Sequence, residues 1–163
     1  MKRLLSLVLA IALVTSLAGC TAKEVSAADR LAGLLDSLGR IPAGTVYFSG
    51  ADPYGEEHVL DGELAELLWA REDGYCEYAA CVEEAAVYLG GLDGCYLEAT
   101  VFICYGSADT EAVAAMCLRR LHLLRSGIRL ESGTAGVVTE GRCVILLATS
   151  DRELAERVKE ILG

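Results

Sequence analysis

CYLEATVFICYG, residues 95–106, carries the reading of the fold. Leu97, Ala99, Val101 and Ile103 recur at every second position and share one face, as in a strand. Upstream, EEAAVYLGG (residues 83–91) reads as a second strand, joined to the first by a loop bearing Gly-Asp-Gly. Downstream, Ser107 or Asp109 starts a long helix running to about Arg125. Asp109 and Glu111 lie in its first turn and Arg119, Arg120 and Arg125 near its end, where the helix dipole favours each sign of charge. AGVVTEGRCVILLAT (residues 135–149) follows as a hairpin with Glu140-Gly141 at its turn. SDRE (residues 150–153) forms a capping box that opens a last helix to Leu162. Strand, strand, helix therefore occurs twice, without a residue-level repeat. The expected fold is α+β: a mostly antiparallel sheet with helices packed on one face. Alternating β-α-β units with long crossovers are not apparent, which weighs against a doubly wound sheet.

The N-terminal half adds less. Leu31, Leu34, Leu35 and Leu38 form one apolar stripe on a helix over about residues 27–38, capped by Ser26 and ended by Gly39 with Pro42. TVYFS (residues 45–49) is β-branched and aromatic and reads as a short strand. GADPYGEEH (residues 50–58) is a polar loop. Asp61 caps a second helix, roughly residues 62–71, with Leu64, Leu67 and Leu68 on one side. Trp69 on this helix is expected in the core.

The first 19 residues stand apart. Lys2 and Arg3 form a basic start, residues 4–14 are apolar apart from Ser6, and small residues follow. The apolar run falls short of the roughly 20 residues needed to span a bilayer, and the three-part pattern is that of an export signal. LAGC (residues 17–20) resembles the lipobox of bacterial lipoproteins. That resemblance implies cleavage before Cys20 and a diacylglycerol on its sulfur, an anchor on the extracytoplasmic side of the cell membrane. Two acyl chains hold a protein stably where one is marginal. The expected organisation is a signal peptide over residues 1–19, a short tether over 20–25 and one domain over 26–163. Removing Lys2 and Arg3 from the 14 basic residues leaves 12 against 24 acidic ones, a formal charge of −12. That argues against nucleic acid as a partner, since such binding rests on neutralising phosphates with Lys and Arg.

The strand EATVFICYG, the long helix with arginines near its end, and VILLATSD leading into a final helix together resemble a family. It is a group of small lipoproteins from Gram-positive bacteria classed as a domain of unknown function. The likeness covers about residues 61–163, and the leader and lipobox fit it. It implies no catalytic residue and no cofactor. The six cysteines beyond Cys20 depart from that group.

Those cysteines are Cys76, Cys81, Cys95, Cys104, Cys117 and Cys143. An even number in an exported chain permits a disulfide framework. Cys104 and Cys143 within strands and Cys117 within a helix read instead as small buried apolar residues. Cys76, Cys81 and Cys95, in the less regular region, are the candidates for a reactive thiol. Zinc spacing is loose at best, and no CxxC is present. In DPYGEEH (residues 52–58), Asp52, Glu56, Glu57 and His58 offer oxygen and imidazole ligands, but not in the alternating pattern of a calcium loop. His122 sits among Arg119, Arg120, Arg125 and Arg129, the one positive cluster of an acidic protein. It reads either as an anion site or as helix-dipole complementation with ion pairs. GxSxG and HExxH are missing, and GTAG (residues 133–136) lacks the Lys-Ser/Thr of a phosphate loop. The sequence thus points to no catalytic set, metal site or cofactor. The first expectation is a membrane-anchored binding or accessory module of the cell envelope. A thiol-active envelope protein is second, and a cation- or small-ligand-binding module on the 52–58 loop third.

Overall fold

A computed structural model describes residues 25–50, 58–91, 95–127, 130 and 134–163. The leader, Cys20, most of the tether, Asp52, Glu56, Glu57, Arg129 and Gly133 lie outside the described residues. The elements are α1 (Ala27–Leu38), β1 (Gly44–Phe48), α2 (Gly62–Trp69), α3 (Tyr78–Cys81), β2 (Val82–Gly90), β3 (Leu97–Cys104), α4 (Thr110–Gly127), β4 (Ala135–Glu140), β5 (Cys143–Thr149) and α5 (Arg152–Leu162). The strands form one sheet in the order β1-β2-β3-β5-β4, every neighbouring pair antiparallel. The fold is α+β, and the strand-strand-helix order occurs twice, as β2-β3-α4 and β4-β5-α5. Because β3 and β4 both oppose β5, they run parallel to each other, and α4 is the crossover between them.

The helices cover both faces of the sheet, not one. Leu97, Ala99, Val101 and Ile103 of β3 join Ala86, Tyr88 and Leu147 in a core under α1 and α5. The intervening Phe102 and Cys104 join Val87, Val144, Leu146 and Ala148 in a second core under α2 and α4. Every residue of β3 is buried, so the central strand must be covered on each side. The expectation of a single helical layer followed one face of β3 and passed over the other.

Local signals account for most boundaries. Ser26 accepts a hydrogen bond from Asp29 N–H at 3.1 Å, and Asp61 one from Leu64 N–H at 2.8 Å, each satisfying an orphan donor of a first turn. Two features differ from expectation. In the β4–β5 hairpin Glu140 pairs with Cys143, so the turn is Gly141-Arg142, with Gly141 at φ +58°. The cap of α5 is Asp151, which accepts from Glu153 N–H at 2.8 Å. Ser150 is taken instead by a long-range contact: its hydroxyl accepts from Tyr96 N–H at 2.9 Å. No helix among the described residues is long and apolar enough to cross a membrane.

Candidate functional site

A groove of about 710 Å³ opens between the segment after α2 and the outer face of α4. Residues 70–73 form one wall. Ala115, Leu118, Arg119, His122 and Leu123 form the other. The helical period produces that second wall. Val113, Met116, Cys117, Leu121 and Leu124 point into the core, which turns Leu118, His122 and Leu123 outward. Leu118 and Leu123 are 57% and 55% exposed. The groove is held by neighbours on each side. Trp69, the last residue of α2, is buried, with its ring centroid 5.0 Å from that of Phe102 and 5.8 Å from that of Tyr78. Arg71 pairs with Asp73 at 3.6 Å and lies over the Tyr75 ring. Arg119 pairs with Glu77, which is itself buried.

The positive cluster expected at the end of the long helix is therefore divided. Arg119 and His122 line the groove. Arg120, one position on and about 100° around the helix, turns inward to Glu98. Glu98 is fully buried in the central strand. Arg120 donates to it from Nη2 at 2.9 Å and from Nε at 3.1 Å, and the Tyr96 hydroxyl donates to the same carboxylate. Burial opposes the charge on Arg120, but the Glu98 carboxylate against it holds the guanidinium pKa above its ordinary value. Burial, with the Glu98 charge, pushes the Tyr96 phenol well up. This ion pair is the structure's main buried polar network, and sequence reasoning missed it. The available signal was a glutamate inside an otherwise apolar central strand.

The thiol candidates do not assemble. Cys76 lies half-buried against α2, its Sγ 3.8 Å from the Ala65 carbonyl oxygen. Cys81 closes α3, and its carbonyl accepts from Tyr105 N–H, just beyond the end of β3. Cys95 is exposed and lies before the start of β3, so it is separated from Cys81 by the length of that strand, roughly 25 Å. All six described cysteines are free, and Cys104, Cys117 and Cys143 are buried. Burial raises the pKa of both Cys76 and Cys81, with nearby carboxylates adding to it, which is the wrong direction for a nucleophile. Burial pushes Cys104 up to about 11, again the wrong direction for a thiolate at neutral pH. Alkylation followed by mass spectrometry is expected to label Cys95 first in the folded protein and to reach Cys104, Cys117 and Cys143 only on unfolding. Rapid labelling of Cys76 or Cys81 at neutral pH would revive the thiol-active reading.

Of the 52–58 loop only His58 is described, half-buried. Among the described residues no three His, Cys, Asp or Glu side chains are placed to hold a metal ion. No protein-family model, no curated protein and no solved structure matches this chain. The chemistry of the site thus rests on its own residues. An open wall of leucine and alanine, edged by Arg71, Arg119 and His122, offers apolar contact with polar flanks. It brings together no nucleophile and base.

Proposed function

We propose that this chain is a lipid-tethered module of the bacterial cell envelope that works by binding, with the groove beside α4 as its contact surface. The observation that carries the tether is LAGC at residues 17–20, placed directly after a basic start and a short apolar run. The likeness to small lipoproteins of Gram-positive bacteria agrees with it. The groove supports the binding role. Leu118 and Leu123, in adjacent turns of α4, belong to neither core, and apolar surface rimmed by polar residues is typical of contact sites. The acidic body, of formal charge −12 without the leader, keeps the domain off an anionic leaflet while the lipid holds it nearby. The thiol-active alternative retains Cys95 as its accessible sulfur.

Cys20→Ser tests the tether. In cells fed an alkyne-tagged fatty acid, the wild-type chain is expected to take up label and to sediment with membranes. The variant is expected to lose essentially all label and to leave the membrane fraction. A variant that stays membrane-bound and is processed at the same position would refute the lipobox reading.

A further inference from the structure

We infer that the outer edge of β4 is a self-association surface, on which a second copy of this chain adds its own β4 to make one continuous antiparallel sheet. β4 ends the strand order, and among the described residues nothing pairs with its outer side. The opposite edge is treated differently. At β1, Leu60 N–H donates to the Phe48 carbonyl at 2.7 Å, and Val59 bridges Phe48. Edge strands of soluble proteins are commonly blunted by Lys, Pro, an inward charge or a covering element. β4 reads AGVVTE, with neither Lys nor Pro, and its single charge, Glu140, is at the end. Helices α4 and α5 each lie over both β4 and β5, above and below the sheet, and among the described residues nothing covers the side of the edge.

The hydrogen-bond phase restricts the register, and one choice uses every outward group. Thr149 N–H donates to the Thr134 carbonyl at 2.9 Å, and Glu140 pairs with Cys143 across the two-residue turn. Positions 134, 136, 138 and 140 therefore bond toward β5. The N–H and C=O groups of Ala135, Val137 and Thr139 point outward. A two-fold axis through Val137 satisfies all of them at once. Val137 faces Val137 of the second copy, Ala135 faces Thr139, and Gly136 faces Val138. An axis between two residues would set outward groups against inward ones and form no ladder.

Side chains favour the same arrangement. Val137 packs at the margin of the core under α4, so the two valines meet on one apolar face. Glu140 projects on the other face, where Arg30 of α1 pairs with it at 3.5 Å. That face also carries Lys159 of α5, beside Gly136 and Val137. Lys159 is held on its own helix by Glu156 at 2.8 Å, and across the axis each Glu140 comes to the side of that pair, opposite Thr134 of the second copy. The match of the strand to itself about Val137, valine against valine on one apolar face, points to a second copy, not to an unrelated peptide. Because the whole chain is acidic, association strengthens as salt screens it.

Sedimentation of the full-length chain in non-ionic detergent, over about 1–100 µM, tests this. A rise to dimer mass is expected, shifted to lower concentration by added salt. Val137→Pro and Thr139→Pro each remove an outward donor and spare the ladder to β5, a place where an edge strand tolerates proline. Each is expected to weaken association at least about tenfold while keeping the thermal transition. Hydrogen exchange on the wild-type protein needs no variant: Val137 and Thr139 amides should exchange slowly at high concentration and fast on dilution. A monomer mass throughout, a dimer that survives both proline variants, or exchange indifferent to concentration would each overturn the inference. A monomer that still recruits an added AGVVTE peptide to these amides would also overturn it, in favour of a peptide partner.

Discussion

Arg120→Ala is expected to lower stability by about 3–5 kcal/mol, the cost of leaving a buried carboxylate without its partner. Glu98 is fully buried, and Arg120 supplies it with two nitrogens, at 2.9 and 3.1 Å. Removing the guanidinium leaves the Tyr96 hydroxyl as the remaining side-chain donor to that carboxylate. Arg120→Lys should recover only part of the loss, because an ammonium cannot reproduce the forked geometry. The double change Glu98→Met with Arg120→Met is the informative control. It removes both charges at similar volume and is expected to be near neutral or stabilising, since the pair's attraction is offset by the desolvation of both ions. Urea unfolding followed by the fluorescence of Trp69, the sole tryptophan, reads all three variants. The single alanine change should move the midpoint down by about 2 M. If the double variant proves as unstable as Arg120→Ala, the pair is a net source of stability and the desolvation argument fails here. If Arg120→Ala costs under about 1 kcal/mol, Glu98 is not held as described.

The network also shows where sequence reading stops. Arg119 and Arg120 are neighbours in a basic run, and composition groups them. Helical geometry separates them, one to Glu77 and one to Glu98. That divergence was inferable from the 100° step; its destinations were not. The Ser26 and Asp61 caps were legible because a cap is a contact within three residues. The Ser150 cap was not, because Tyr96, more than fifty residues away, competes for the same hydroxyl. The four residues of α3 went unseen because Glu77 makes no capping bond and one turn carries no periodicity. The second helical layer was hidden for a different reason. On one face β3 presents Leu97, Ala99, Val101 and Ile103. On the other it presents Glu98, Thr100, Phe102 and Cys104, a set polar enough to pass for a solvent face until Arg120 is brought over it. The nearly unbroken apolar run of β5, CVILLAT, was the better clue that both faces are buried. The groove depends on α2 and α4 meeting in space and had no local signature beyond the outward leucines.

Phe102→Ala is the second large expected effect, a loss of about 3–5 kcal/mol. Phe102 is fully buried in the central strand, and two rings from separate elements rest on it: Trp69 of α2 at 5.0 Å and Tyr78 of α3 at 6.4 Å, both edge-on. Deleting the ring removes its transfer free energy and leaves a cavity that three elements would have to collapse to fill. β3 cannot move to fill it, since its other face is packed under α1 and α5. The loss should not stay local. Residues 70–73, one wall of the groove, follow Trp69 directly, and Glu77, the partner of Arg119 on the opposite wall, precedes Tyr78. Trp69 emission is therefore expected to shift to the red in native buffer, before the global transition, as α2 loosens. Phe102→Leu fills most of the space and should cost about 1 kcal/mol, with little spectral change. This contrast separates a packing role from a general intolerance of β3 to substitution. If Phe102→Ala and Phe102→Leu were equally mild and Trp69 emission stayed unchanged in both, the aromatic cluster would not be what seats α2 and α3 on the sheet. The groove would then owe its shape to the Arg119–Glu77 pair, which reaches from α4 to the residue before α3.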